Sequence, residues 1–225
     1  MAIRFSHQAV FLFVLACLAG LMMVAGGRAP ALAAECGDDV GGTRVACSCG
    51  DIVVSDTTLR PDDPVSLVRC DHDGLVLRAP RGAESIALDL SGLSIVGSGQ
   101  GSGIRIVEGG EQGAIIIGGV PGRPAEIAGF RNGVRATGSR PLAEIRDLTI
   151  KGSSRDGLVL RGAPARLARV TSDSNGGDGL RIGGRQRMLE DVEASGNRRY
   201  GVRGNVRGAI RPPAHGSAVN PQDKP

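Results

Sequence analysis

Four arginines occupy one repeated position of the chain, two places after a glycine. They are Arg105, Arg135, Arg181 and Arg203. At the equivalent position between the second and third of them the chain has Val159. A guanidinium offers a rigid fork of N–H donors that matches a carboxylate or sulfate in two parallel hydrogen bonds. The column therefore predicts a ligand-binding face for an acidic polysaccharide. The alternative is a solvated face on which the arginines pair with nearby acids.

Acidic residues recur in the same part of the chain. Asp147 and Asp191 are equivalent in the repeat, with Arg169 between them. This order predicts an ion-pair ladder, because opposite charges on neighbouring strands attract and like charges repel. Asp156 and Asp178 each precede a glycine, which is typical of turn-forming residues.

Histidine offers little for acid–base chemistry. His72 lies next to the cysteines and His215 lies near the C terminus, so neither is placed to be a general acid or base. The run Asp71-His72-Asp73 does not predict a metal site, because adjacent residues of a strand face opposite sides. We expect no metal and no cofactor.

The elements that position these side chains repeat regularly between Ala143 and Gly204. Corresponding glycines are Gly157, Gly179 and Gly201, whose equal spacing gives the period of the repeat. A unit of this length cannot bury its own apolar face, so it must stack on its neighbours in a solenoid. A leucine-rich repeat is the competing template, but it requires Leu where this chain has Gly177 and Arg199. Each unit instead has a second short strand after its glycine, which favours an all-β, single-stranded parallel β-helix.

Composition supports a stack of short turns and excludes some functions. Glycine accounts for 36 of the 225 residues, aromatic residues for 2%, and Trp is absent. Glycine suits tight corners, whereas a sugar cleft built on aromatic platforms is not available. Of the 27 basic residues, Arg4 and Arg28 precede Glu35, whereas none of the 23 acidic residues does. The chain from Glu35 onward is therefore close to neutral, which does not predict a nucleic-acid partner.

The N-terminal segment, up to Ala34, resembles a signal peptide. A short polar start is followed by an apolar run from Ala9 to Gly27 and by Ala31-Leu32-Ala33, a small-x-small cleavage pattern. An uncleaved anchor and a lipid-modified Cys17 are the alternatives. We expect a secreted or periplasmic protein with no stable membrane span after signal cleavage.

Four cysteines follow the signal segment. They are Cys36, Cys47, Cys49 and Cys70. An even number in an exported chain predicts two disulfides. Cys47 and Cys49 are too close to bond each other without strain, so each is expected to bond to one of Cys36 and Cys70. A metal site that uses the Cys-x-Cys pair with His72 is the alternative, but its spacing matches no standard zinc pattern.

Several short motifs resemble one family. They are Cys49-Gly50-Asp51, Cys70-x-x-Asp73-Gly74-Leu75, Leu88-Asp89-Leu90, Asp156-Gly157-Leu158 and Asp178-Gly179-Leu180. They are similar to motifs of right-handed parallel β-helix proteins of the pectin-lyase-like group, which includes carbohydrate-binding and sugar-hydrolase (CASH) domains and NosD-type periplasmic proteins. The resemblance extends from Cys49 to Gly204 and implies a right-handed β-helix.

The resemblance also implies candidate chemistry. Many β-helix enzymes act on acidic polysaccharides, and the related pectate lyases bind calcium through an Asp cluster and use an Arg base. The alternative function is therefore a small lyase or epimerase of uronate-containing glycans that uses the arginines with Asp156 and Asp178, with calcium in that case alone. The histidine signatures of the polygalacturonases and alginate epimerases are missing. We therefore favour a non-catalytic binding or scaffold protein.

The chain divides into four segments. We expect a signal peptide over residues 1–34, a disulfide-stapled N-terminal cap over 35–73, a parallel β-helix over 74–210 and a flexible tail over 211–225. The cap shields the first open strand edge. Because the tail has too little apolar surface to cover the last repeat, end-to-end self-association is a further expectation.

Overall fold

The computed structural model describes residues 33–138, 142–162, 165–183, 187–204 and 207–211. Residues 1–32 and 212–225 lie outside the described part. The expected signal peptide and tail therefore fall almost entirely outside it, as do Cys17 and His215.

The described residues are nearly all in β-strands and their connections. One short helix, α1 (Pro64–Leu67), lies between the fourth and fifth strands. The strands of the first half are β1 (Glu35–Val40), β2 (Thr43–Val45), β3 (Asp51–Val53), β4 (Thr57–Thr58), β5 (Arg69–Cys70), β6 (Leu75–Arg78), β7 (Ser85–Asp89), β8 (Ser94–Gly97), β9 (Ser102–Glu108) and β10 (Gly113–Ile117). Those of the second half are β11 (Ala125–Ala128), β12 (Asn132–Thr137), β13 (Leu142–Lys151), β14 (Leu158–Arg161), β15 (Ala165–Asp173), β16 (Leu180–Gly183), β17 (Arg187–Ser195), β18 (Val202–Arg203) and β19 (Arg207–Arg211).

Two sheets contain these strands, and their strand pairs are parallel apart from β1 with β2. The nine-stranded sheet has the order β18-β16-β14-β12-β9-β6-β3-β1-β2. The ten-stranded sheet follows β19-β17-β15-β13-β10-β7-β4, and β11, β8 and β5 continue beside the second half of β13. From β3 onward, each strand of the nine-stranded sheet is followed in the chain by one or two strands of the other sheet. The expectation of an all-β fold with parallel strands is confirmed.

The repeat of the sequence appears directly in the strand register. Leu158 pairs with Leu180, and Ile145 pairs with Leu167, so each residue pairs with its equivalent in the next unit. Apolar residues at equivalent positions form buried columns, because parallel strands lie about 4.8 Å apart and place equivalent side chains next to each other. One such column consists of Leu75, Ile104, Val134, Leu158, Leu180 and Val202, all at most 1% exposed.

Asparagines form a second buried column. The Asn197 side-chain oxygen accepts the Asn175 backbone N–H at 3.0 Å and the Asn175 side-chain amide at 2.9 Å. The Asn197 amide donates to the Ser172 carbonyl at 3.0 Å. The Asn175 oxygen accepts the Ser153 N–H at 2.9 Å, again one unit back along the chain. These amides saturate backbone groups that the turns would otherwise leave without partners.

The start of the described chain is stapled as expected. Disulfides join Cys36 to Cys47 and Cys49 to Cys70, which selects one of the two pairings that the sequence left open. Asp63 supports the same region: its carboxylate accepts two hydrogen bonds from Arg44, at 2.8 and 2.7 Å, and is fully buried.

None of the described residues belongs to a helix that is long and apolar enough to cross a membrane.

Candidate functional site

The predicted arginine column exists as a register position of the nine-stranded sheet. Across the sheet the aligned residues are Ile52, Val76, Arg105, Arg135, Val159, Arg181 and Arg203. Val159 interrupts the arginines, as the sequence indicated, and it is 7% exposed. The ligand-binding role of the four arginines stays a prediction, but their neighbours show which of them are free to bind.

Asp73, in the connection before β6, neutralises the charge of Arg105. One oxygen of Asp73 accepts the Ser102 backbone N–H at 2.7 Å, and the other accepts the Arg105 Nε–H at 2.5 Å. Ser102 and Arg105 lie on the same strand, so a single aspartate fixes both the turn before that strand and its arginine. A charge-assisted bond of this kind holds the guanidinium in one position.

The same arrangement occurs twice more. Asp156 accepts the Asp178 N–H at 2.9 Å, and its second oxygen lies 3.6 Å from Arg181 Nη1. Asp178 accepts the Tyr200 N–H at 3.4 Å, and its second oxygen lies 3.7 Å from Arg203 Nη1. The side chains of Asp156 and Asp178 are 10% and 1% exposed, whereas those of the two arginines are 36% and 47% exposed. Both aspartates lie in connections between strands, but their carboxylates accept backbone N–H groups of the next repeat and not of their own turn, so their turn-forming role stays a prediction.

Arg135 departs from this arrangement. Its preceding strand has Ser102 at the position that Asp73, Asp156 and Asp178 occupy elsewhere, and Ser102 pairs with Asn132 in register. None of the described residues forms an ion pair with Arg135. The side chain of Arg135 is exposed. It is therefore the member of the column whose guanidinium is available to a ligand.

A small pocket opens over Val159, beside Arg135. Its volume is about 130 Å³. We call it the Val159 pocket, and its lining residues are Asn132, Arg135, Arg155, Asp156, Val159, Arg161 and Arg181. Four arginines and one aspartate give this lining a formal charge of +3. The valine leaves space where a fifth arginine would otherwise lie, so the interruption of the column creates the pocket.

Two of these arginines were not predicted from the sequence. Arg155 lies in the turn before β14, and Arg161 ends β14. Within the described part of the chain, neither forms an ion pair, and both are exposed. Arg161 could have been predicted, because it lies two residues after Val159 on the same strand and such residues share a face. Arg155 repeats as Gly177 and Arg199 in the stacked turns, but its nearness to Val159 depends on the path of the turn.

A second cavity of about 280 Å³ lies at the predicted ion-pair ladder. Arg169 donates from Nε and Nη2 to the two oxygens of Asp147, at 2.6 and 2.9 Å. This hydrogen bonding raises the pKa of Arg169 above its ordinary value. Asp147, Arg169 and Asp191 all have positive φ, between 52° and 54°, where β13, β15 and β17 each break their pairing. The ion-pair ladder therefore lies at the bend that these three strands share.

The described residues contain no group of three or more His, Cys, Asp or Glu side chains that could hold a metal ion. The ring of His72 contacts the Asp73 carbonyl at 3.1 Å, and the neighbouring cysteines are both in disulfides. The Cys-x-Cys alternative is therefore not supported by this part of the chain.

No protein-family model matches the chain, and neither a curated protein nor a solved structure matches it.

Proposed function

We propose that the protein is an exported, right-handed parallel β-helix protein that binds an acidic polysaccharide on its arginine face without transforming it. The arginine face consists of the arginine column and the Val159 pocket. The observation that supports this most is the group of guanidiniums at Arg135, Arg155 and Arg161 around one pocket, which no described residue pairs. Elsewhere in the column each arginine has its own aspartate.

The alternation of the chain between two parallel sheets supports the β-helix path. Each unit pairs in register with the unit that follows it in the chain, which is how a coil advances along an axis. Parallel crossover connections are right-handed in nearly all proteins. The resemblance of the Asp-Gly-Leu motifs to those of the pectin-lyase-like group agrees with this path.

Export is supported by the two disulfides. Disulfides persist in oxidising compartments and are rare in the reducing cytosol. Expression of the full-length chain with a C-terminal tag, followed by N-terminal sequencing of the exported product, tests the proposed signal peptide. Cleavage after Ala33 or Ala34 is expected, whereas a tagged protein retained uncleaved in the cytosol would contradict export.

Binding is tested by affinity electrophoresis in gels that contain an acidic polysaccharide such as polygalacturonate. We expect the wild type to be retarded, and Arg135→Gln with Arg155→Gln and Arg161→Gln to migrate as in a gel without polysaccharide. A control with Arg60→Gln removes an exposed arginine at the other end of the chain and should leave retardation intact. Equal retardation of the wild type and the triple variant would overturn the proposal.

The lyase or epimerase alternative predicts different chemistry. By analogy with the pectate lyases it would use an arginine of the column as the base and Asp156 and Asp178 to bind calcium, yet each of these carboxylates already accepts a backbone N–H and faces an arginine. Ultraviolet absorbance of unsaturated sugar ends, with and without calcium, decides between the two functions. Product that is abolished by Asp178→Ala would establish the enzyme and end our preference for binding alone.

Self-association is supported by the sheet ends. In the described part of the chain, β18 pairs with β16 alone and β19 pairs with β17 alone, so each presents an edge. An unprotected strand edge is a template for another chain. Light scattering over a hundredfold concentration range is expected to show a rising mass, and a constant monomer mass would exclude end-to-end stacking.

A further inference from the structure

Three guanidiniums of the Val159 pocket have no ion-pair partner in the described part of the chain, and they belong to three different segments. Arg135 is on β12, Arg155 is in the turn before β14, and Arg161 is at the end of β14. A fourth, Arg181, lines the same pocket and faces Asp156 at 3.6 Å. A solvated arginine face would distribute its charges, whereas these surround one apolar floor, Val159.

The size of the pocket limits what it holds. Pockets for whole small molecules have volumes of roughly 300–1,000 Å³, whereas this one is about 130 Å³. It therefore fits a single anionic substituent, and the remainder of the ligand must lie along the face outside it.

The number of donors limits the substituent. A carboxylate has two oxygens and one negative charge, so one or two guanidinium forks satisfy it. A phosphate monoester has three terminal oxygens and a charge of about −1.5 to −2 at neutral pH. Three free guanidiniums and a formal lining charge of +3 match the second group better. A sulfate ester has three oxygens but a single charge, so it is intermediate.

We propose that the Val159 pocket binds the phosphate monoester group of a glycan. The assignment of this group to a glycan rests on the proposed function, whereas the pocket's preference for a phosphate monoester depends on the four arginines and the aspartate alone. Arg135, Arg155 and Arg161 contact the three terminal oxygens. Arg181 lines the pocket as well, but Asp156 lies 3.6 Å from its Nη1 and offsets its charge.

Isothermal titration calorimetry at pH 7.5 and low salt tests this with four small probes. They are methyl phosphate, dimethyl phosphate, methyl sulfate and acetate. Methyl phosphate is expected to bind at least tenfold more tightly than any of the other three. Arg155→Gln with Arg161→Gln is expected to weaken methyl phosphate at least tenfold, whereas Arg60→Gln leaves its Kd within twofold. Thermal unfolding of each variant verifies that it is folded, and the wild-type ranking of probes tests the proposal even where a variant is not.

The outcomes separate this inference from the proposed function. Methyl phosphate that fails to bind, or that binds no better than methyl sulfate or acetate, overturns the phosphate pocket even if polygalacturonate is retained. Methyl phosphate that binds selectively, in a protein that no acidic polysaccharide retards, supports the pocket and overturns polysaccharide binding. Tighter retardation by a phosphorylated polysaccharide than by its dephosphorylated form supports both.

Discussion

Ser102 occupies, in the strand next to Arg135, the position from which an aspartate neutralises the arginine elsewhere in the column. Asp73 holds Arg105 in this way, and Asp178 faces Arg203. Because Ser102 lies where the other arginines have an aspartate, Arg135 is available to a ligand. Whether an arginine of the column forms a structural ion pair or can bind a ligand therefore depends on whether the neighbouring strand has an aspartate at this position.

The first prediction concerns a variant that gives Arg135 an acidic partner. Ser102→Asp is expected to place a carboxylate against Arg135 and to weaken methyl phosphate binding about three- to tenfold, because the new ion pair competes with the ligand. Ser102→Asn has nearly the same shape without the charge, and it should retain affinity. A folded Ser102→Asp variant with unchanged affinity would show that Arg135 does not contact the anion.

The second prediction concerns Asp178 and Arg203. The Asp178 side chain is 1% exposed and one of its oxygens has no hydrogen-bond partner, so Arg203 is its counter-charge at 3.7 Å. Arg203→Gln is expected to lower the free energy of unfolding by about 1–3 kcal/mol, because it leaves the buried Asp178 carboxylate without its counter-charge.

A double-mutant cycle tests the same pair in urea. Addition of Asp178→Asn to Arg203→Gln should recover part of the loss, because no uncompensated charge remains. A loss in the double variant that equals the sum of the losses in the two single variants would indicate that these side chains do not interact.

The third prediction concerns the asparagine column. Asn197→Ala removes an acceptor for two donors of Asn175 and a donor to Ser172. The loss should be about 2–4 kcal/mol of unfolding free energy, because several buried polar groups lose their partners at once. Arg198→Ala, an exposed neighbour, should change it by less than about 0.5 kcal/mol. Similar losses of unfolding free energy in both variants, measured by urea unfolding, would show that the asparagine column does not stabilise the fold.

The fourth prediction concerns the disulfides. Cys36–Cys47 and Cys49–Cys70 close loops with sequence separations of 11 and 21 residues. Each is expected to contribute about 3 kcal/mol by restricting the unfolded chain. Reduction should therefore lower Tm by many degrees, measured by circular dichroism with and without a thiol reductant. An unchanged Tm, with free thiols confirmed by titration, would contradict a stapling role.

The arginine column could be predicted from the sequence because its members lie at a fixed distance from a glycine and sheet register preserves that distance. Its pairing could not, because Asp73 is far from Arg105 in the chain, as Asp156 is from Arg181. Only the strand order shows that these residues are neighbours. The Val159 pocket depends further on Arg155, whose nearness to Val159 is set by the path of its turn and not by its spacing in the sequence.

The cysteines show the same limit. The sequence predicted two disulfides and excluded a bond between Cys47 and Cys49, but it left two pairings open. The choice between them depends on how β1 lies beside β3, which is a tertiary fact. In the regular repeats local spacing determines the contacts, so there the sequence was sufficient for the strands and their register.

A crystal structure of the protein with an acidic oligosaccharide tests whether an acidic glycan binds over Val159. We expect an anionic group within hydrogen-bond distance of at least two of Arg135, Arg155 and Arg161, with the sugar chain extending along the arginine face. An oligosaccharide bound on another face, or none at saturating concentration with the pocket open to solvent, would contradict it.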